Sequence, residues 1–513
     1  MEPQRTIIAE TFLDTFDRRR GMRSDSRLWV LAGGALVALT ILSALCGSNG
    51  LLLVALGLLG LIVSFFAVRV CIRDPSWLLF ALVLEEVLPY LNIIPLDPNA
   101  RWVIRYPLLL PLTIPTAWSV VRTGVINRGW FKGYALFILW CAITITYSEV
   151  PAISLGRLIP VGLVFAALIV VVESVQSEAD VQKLLGRFIL GCGILQLLVV
   201  VVWMTQPSDS TWFEEEGLFR FAGIFGSANE LGALSMVTII AGIAHWNAAI
   251  GRGRRLLLGL LITMAVMFGA MADSRTAFIA ITVGLIAYCI WKYRAIGALL
   301  VLSSVCTLLV LLMSVAPEYL NRDVTTMTGR AEAWTFEIIK LKQAPVLGYG
   351  YDVEGEIFQD RHFPNWETFW NGGPNTALHN SYLSVAIGCG IPAMLVLLVI
   401  LMAPWIWLMR EDEDAWKLKP LFFLILIPML VLGAQESGLA EPRYLKGILF
   451  FLSWMLVERY RQAKVSVSSQ RSLDEQRDDH QPSARALGDG LIWDADPKIA
   501  RAPAWFDFDG LTK

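Results

Sequence analysis

The sequence predicts an all-α integral membrane protein, a bundle of about 12–14 transmembrane helices with one large loop region on its outer side. Three observations predict it. The 513 residues are 56% hydrophobic and only 17% charged, with a mean hydropathy of +0.59, which is more apolar surface than a water-soluble globule buries. The apolar residues fall in runs long enough to cross roughly 30 Å of hydrocarbon. Basic residues collect in alternate loops between those runs, as the charge bias of membrane insertion requires.

Residues 1–27 are polar and end in a basic cluster, Arg18, Arg19, Arg20, Arg23 and Arg27, directly before the first apolar run. No small-residue cleavage site follows that run, so it reads as a retained start-transfer anchor. Within this cytoplasmic leader, Ile7, Ile8, Phe12, Leu13 and Phe16 recur at helical spacing opposite charged residues, the pattern of a short interfacial helix. Candidate spans then follow at 28–46, 50–70, 76–92, 103–121, 131–147, 158–173, 184–204, 222–248, 256–272, 275–291, 295–316, 379–409, 419–434 and 443–458. Pro89, Pro107, Pro111, Pro115 and Pro428 interrupt or shorten three of them, which neighbouring helices tolerate by covering the freed backbone groups.

The transmembrane bundle thus occupies 28–316 and resumes over 379–460. Basic residues at Arg69 and Arg73, Arg122, Arg128 and Lys132, Lys183 and Arg187, Arg252, Arg254 and Arg255, Lys292 and Arg294, Lys417 and Lys419, and Arg459 and Arg461 fall on one side of the count. Both termini are therefore expected in the cytoplasm. Parity places the long polar stretch 317–378 on the opposite, outer side, where it is the natural place for chemistry. The stretch 461–513 is rich in Ser, Gln, Arg and Asp, with too few apolar residues for a core, and reads as a disordered cytoplasmic tail.

A net charge of -2 argues against nucleic acid as a partner. The seven cysteines lie singly in or beside apolar runs with no CxxC pair, so they read as small packing residues and not as metal ligands or a disulfide framework. No cofactor or metal site is expected.

Arginines on the outer side run against the charge bias. Arg220 stands in FRFAGIFGSANELG where a helix is expected to begin, Arg275 in MADSRTAF at a tight turn between two spans, and Arg330 in TGRAEAWTFEII within the long loop. Taken singly, each has an ordinary reading, snorkelling to the interface or pairing with a carboxylate such as Asp273. Together they suggest an anion site, because guanidinium groups are always charged and present planar forks of donors that grip a diphosphate without a metal. Of the four histidines, His245 lies at an inner helix end, His362 in the loop and His480 in the tail; His379 opens an outer helix at HNSYLSVAIGCGIPA. An imidazole there is suited to take a proton from an attacking hydroxyl. Its ordinary reading is a helix cap or a headgroup contact.

Arg220 through GSANELG, the SRTA turn, the stretch from Gly329 to Gly350 ending in LGYG, and His379-Asn380 together resemble the O-antigen ligase and polymerase superfamily over roughly 150–435. The superfamily pattern of His, a polar residue, nine residues and Gly-x-x-Gly reads here as His379, Asn380, nine residues, Gly390, Ile391, Pro392 and Ala393, with alanine in place of the final glycine. The resemblance implies a metal-independent, inverting glycosyl transfer on the periplasmic face of a bacterial inner membrane. It implies a polyprenyl-diphosphate-linked glycan as donor and a lipid or glycan hydroxyl as acceptor. Arg220 and Arg275 match the arginines expected at the donor diphosphate, His379 the residue expected to activate the acceptor, and Arg330 the GR at the start of the loop helix, in donor or sugar contact. Asn380, Glu230 and Tyr349 are auxiliary candidates, Glu230 to orient an arginine and Tyr349, like Trp334, to stack on a sugar or to pack the loop. Glu85 and Glu86 face either a water-filled interior or the outer interface.

Ligase and polymerase share this donor chemistry and stay open as alternatives. A lipid-linked sugar flippase is the rival from another class, although no internal repeat or matched pair of broken spans speaks for it.

Overall fold

A computed structural model of the chain describes residues 70–71, 74–85, 129–175, 177–205, 212–215, 218–225, 227–249, 251–291, 293, 299, 303, 330–354, 380–410, 419–436, 438–439, 441 and 444–461. The leader, the runs at 28–46 and 103–121, Glu86, His362, His379 and the tail beyond 461 lie outside them. The chain divides into two compact units, Met1–Arg73 and Asp74–Lys513.

Within the second unit, α1 (Ser76–Glu85) opens at Asp74, whose Oδ1 accepts hydrogen bonds from Ser76 N at 3.2 Å and Ser76 Oγ at 2.7 Å, a side-chain cap on the first turn. Buried Glu85 is its last residue. Next come α2 (Gly129–Ile145) and α3 (Pro151–Glu173). The latter starts seven residues ahead of the expected 158: Pro151 is preset for a first helical position, and Arg157 merely interrupts the apolar run without ending the helix. α4 (Glu178–Thr205) carries Glu178 and Asp180 in its first turn, where carboxylates complement the helix dipole.

A two-stranded antiparallel hairpin follows, β1 (Trp212–Glu215) and β2 (Leu218–Phe221), with Trp212 opposite Phe221. It departs from the all-helical expectation and corrects the placement of Arg220, which sits on β2 and not at a helix start. In TWFEEEGLFRF two apolar clusters flank an acidic, glycine-containing turn, a hairpin pattern that the neighbouring apolar run from 222 obscured.

The chain continues as α5 (Ala228–His245), α6 (Arg252–Met271), α7 (Arg275–Trp291), α8 (Arg330–Gln343), α9 (Ser381–Arg410), α10 (Lys419–Gln435) and α11 (residues 445–461). Among the described residues, α3, α4, α5 with its extension to Ala248, α6 and α9 are long and apolar enough to cross a bilayer, and α2, α7 and α10 are shorter apolar helices. Several helices also turn apolar side chains outward, such as Leu256 and Leu260 on α6 and Val399 on α9. Water would oppose such faces and acyl chains accept them. The protein is a multi-pass, all-α integral membrane protein, with one short hairpin among the described residues.

The packing orders the site. α5 lies against α4 and α6, α1 against α3 and α4, α2 against α3 and α9, and α10 against α5 and α9. Tyr134, Phe165, Phe450, Phe451 and Trp454 form an aromatic core that joins α2, α3 and α11. Cys71, Cys141, Cys192 and Cys389 are buried and form no disulfide. At one end of the bundle Lys183 pairs with Asp74 at 2.9 Å, Arg459 with Glu173 at 3.4 Å, and His245 Nδ1 meets Gln182 at 3.1 Å. The opposite end carries the β-hairpin, the α6–α7 turn, and the starts of α5, α9 and α11.

Candidate functional site

Arg220 is 6% exposed. Its Nε donates to the carbonyl oxygen of Ala272 at 3.1 Å, and its Nη2 donates to the Asp273 carbonyl at 3.3 Å and to Asn229 Oδ1 at 2.8 Å. The geometry follows from the α6–α7 turn. Helix α6 ends at Met271 and α7 starts at Arg275, so the chain reverses over three residues, with Asp273 in the left-handed region at φ 47°. The last carbonyls of α6 lack helical partners, and the guanidinium supplies the missing donors. Arg220 therefore ties β2 to the turn that bears Arg275 and, through Asn229, to the first turn of α5.

Ser227 caps α5, its hydroxyl accepting from Asn229 N at 3.1 Å. Gly232, one turn on, lies so close to Ser274 that a Cβ would collide with it, and this closeness brings the starts of α5 and α7 together. Arg275 is half-buried at the start of α7. Glu230, in the first turn of α5, has Oε1 4.0 Å from the ammonium of Lys446 on α11. The first turn of α5 thus gathers Arg220, Asn229, Glu230, Arg275 and Lys446. The sequence signal for Lys446 is a lysine at the end of the last span that parity expects outside, against the charge bias.

His379 falls just before the described start of α9. Asn380, its neighbour, is the helix cap: its Oδ1 accepts from Tyr382 N at 3.1 Å and Leu383 N at 3.0 Å. Ser381 then joins α9 to the end of α10, its hydroxyl donating to the Glu436 carbonyl at 2.6 Å and accepting from Leu439 N at 2.9 Å. The 436–446 segment that begins there also offers Glu441 Oε1 to the hydroxyl of Tyr351 at 2.9 Å, and leads into Lys446. Main chain and side chains of this segment bridge the start of α9 to the group around Arg220.

α9 is broken at Gly390, whose φ of 85° and ψ of 163° leave the helical region. Pro392 has no N–H for the Gly388 carbonyl, and the break frees neighbouring groups. The turn after α8 fills them: Tyr349 N donates to the Ile387 carbonyl at 2.9 Å, Gly350 N to the Gly388 carbonyl at 2.8 Å, and Ile391 N to the Pro345 carbonyl at 2.8 Å. Trp140 Nε1 donates to the Cys389 carbonyl at 2.8 Å. The GYG and GIPA segments are thus two sides of one main-chain seam, with no room for a Cβ at Gly390 against the Val346 carbonyl. Ala393, where the superfamily pattern has glycine, is buried.

Tyr349 is half-buried and its hydroxyl donates to the Lys340 carbonyl at 3.1 Å, holding the turn onto α8. Arg330 is the first residue of α8. Trp334 is half-buried, and its Nε1 has no hydrogen-bond partner among the described residues. Below the turn lies an acidic set absent from the sequence reading. Arg157 holds Asp352, donating to its carbonyl oxygen and standing 3.7 Å from its Oδ2. Ser384 Oγ donates to Glu354 Oε1. Glu337, on α8, is 0% exposed, and neither of its carboxyl oxygens has a hydrogen-bond partner among the described residues.

Burial, and then the neighbouring Glu354, push the Glu337 carboxyl up to about 9. Burial, with the Asp352 charge adding to it, pushes Glu354 up to about 8 against the lowering effect of the Ser384 hydrogen bond. Both side chains are thus neutral in the folded protein at neutral pH, whereas an unfolded glutamate ionises above 4.5. At these two groups the folded chain binds more protons than the unfolded chain between these values, so the stability they contribute is fully present below 4.5 and is lost as pH rises towards 8–9. Glu337→Gln is expected to remove part of that slope. Its melting temperature in detergent should exceed that of the natural protein at pH 8, by an amount equivalent to ~1–3 kcal/mol, and should match it near pH 4.5. Equal melting temperatures at both pH values would show that Glu337 is not held neutral.

Residues 260–398 match the family described as O-antigen ligase. That segment is similar to the O-antigen ligases. The O-antigen ligase segment contains Arg275, Arg330, Tyr349, His379, Asn380 and the Gly390 break, and leaves Arg220, Glu230 and Lys446 to its flanks. Across a longer stretch the chain is similar to the exopolysaccharide production protein ExoQ of Rhizobium meliloti (strain 1021), 25% identical over 380 residues that cover 68% of this chain and 81% of that protein. An O-antigen-ligase segment in a multi-pass bundle makes this a membrane protein of the glycan ligase or polymerase type.

Proposed function

We propose that the protein moves a glycan from a polyprenyl-diphosphate carrier, such as undecaprenyl diphosphate, to an acceptor hydroxyl on the periplasmic face of a bacterial inner membrane. The observation that carries the reading is the meeting, at one end of the bundle, of the Arg220–Asn229–α6–α7 turn cluster with the start of α9 that follows His379. The acceptor oxygen attacks the anomeric carbon, and the bond from that carbon to the diphosphate oxygen breaks. The proton passes to His379, and the electron pair leaves with the carrier diphosphate, so the new glycosidic bond has inverted configuration. Arg275 faces the diphosphate and neutralises the charge growing on the leaving group. Arg220 positions the turn that carries Arg275 and adds positive charge behind it. Arg330 contacts donor or sugar from α8, and no metal takes part.

The relative's printed description concerns exopolysaccharide production, which favours a second reading within the same chemistry: a polymerase whose acceptor is another carrier-linked unit. Reconstitution with a defined polyprenyl-diphosphate oligosaccharide and two acceptors, one a lipid-core glycan and one a second carrier-linked unit, separates the two by product mass. Movement of the lipid-linked sugar across liposomes with no new bond would replace both readings with a flippase. In the same assay, Arg275→Ala should raise the donor KM about 10-fold or more with little change in the acceptor KM. An unchanged donor KM would remove Arg275 from the donor site.

A further inference from the structure

We propose that Lys446 is a further phosphate-binding cation of the donor site, and that Glu230 is the resting counter-ion it exchanges for the carrier diphosphate. This rests on the donor reading given under Proposed function. Lys446, the second residue of α11, is 4% exposed. An ammonium so enclosed has three N–H donors to satisfy and loses most of its hydration. Around it the structure offers the Glu230 carboxylate at 4.0 Å, the outer limit for an ion pair, and the Tyr444 ring at 5.6 Å. Among the described residues, no hydrogen bond reaches it.

A lysine that served only to join α5 to α11 would close on its carboxylate. The chain shows what that looks like at its other end, where Lys183 and Asp74 stand 2.9 Å apart at partly exposed positions. Among the described residues, Lys446 instead keeps only an open contact with its carboxylate, in a far more buried place. Its surroundings favour an anion. The N-termini of α5 and α11 both lie here with their positive dipole ends, and Arg220 reaches Asn229, next to Glu230, at 2.8 Å. The two kinds of cation are complementary. A guanidinium reads the geometry of a phosphate, and an ammonium supplies a compact charge that follows it. A diphosphate brings more charge and more acceptor oxygens than one carboxylate, so Lys446 moves to it, and Glu230, 24% exposed at its side chain, turns to solvent.

The test is direct binding of a sugar-free polyprenyl diphosphate to the full-length protein in detergent, with the matching monophosphate lipid as comparison. The natural protein should prefer the diphosphate. Lys446→Met should weaken diphosphate binding about 10–100-fold and monophosphate binding less. Glu230→Gln should tighten diphosphate binding, because the competing carboxylate is gone. The Lys446→Met/Glu230→Gln double variant, which leaves no buried charge unpaired, should melt near the natural protein and bind as weakly as Lys446→Met. Natural-level binding by the double variant would reduce Lys446 to a link between helices. Weakening by Glu230→Gln would show that the carboxylate positions the lysine, and the exchange would be wrong. If the natural protein binds both lipids equally, the donor reading itself fails, and this inference with it.

Discussion

Replacing His379 with alanine should lower glycan transfer by about 10²–10⁴-fold, the usual contribution of a positioned general base, while polyprenyl-diphosphate binding and membrane insertion persist. The expectation follows from the division of labour at the site. In the reading proposed above, positive charge near Arg220 and Arg275 holds the donor, and the residue before the Asn380 cap acts on the acceptor. Loss should therefore appear in kcat and not in the donor KM. The side chain of Asn380 caps α9, and this cap is kept in the variant. Full turnover by a purified His379→Ala protein would falsify the assignment of His379 as the base.

Gly390→Ala should be nearly as damaging for a different reason. At φ 85° and ψ 163° the backbone occupies a region open essentially to glycine alone, and a Cβ there meets the Val346 carbonyl. The strain is on the order of 1–3 kcal/mol, and the added collision must be relieved by opening the seam between α9 and the turn after α8. The variant should lose most transfer activity, melt several degrees lower and become sensitive to protease within 344–354. Gly162→Ala, whose Cβ would meet nothing within 4 Å, is the control and should behave as the natural protein does. A Gly390→Ala protein with the natural melting curve and protease pattern would show that the seam does not need this backbone conformation.

Much of the bundle was legible in the sequence because a membrane span is a statement about composition and length, and α2, α4, α6, α7, α9 and α10 stand close to where their apolar runs lie. The starts of α3 and α5 were harder. Arg157 looks like the edge of a run yet sits inside a helix, where its side chain reaches Asp352 nearly two hundred residues away. The β-hairpin was hidden because its alternation spans only a few residues beside a strong helical signal. At the site, Arg220, Glu230 and Arg275 stand at one end of the bundle. What escaped notice was everything set by long-range packing. Lys446, Glu441 and Glu337 lie far apart in sequence and belong to no recognisable motif, and the need for glycine at position 390 follows from the approach of Val346. A pattern in one chain can name Gly390, but it cannot say what stands opposite.

The seam between the turn and α9 is made of amide groups, and few of its bonds depend on what the side chains are. Leu347 and Val346 are exposed on it, free to be exchanged while the glycines keep the register. A scaffold built this way can change the residues it displays while its backbone keeps its place.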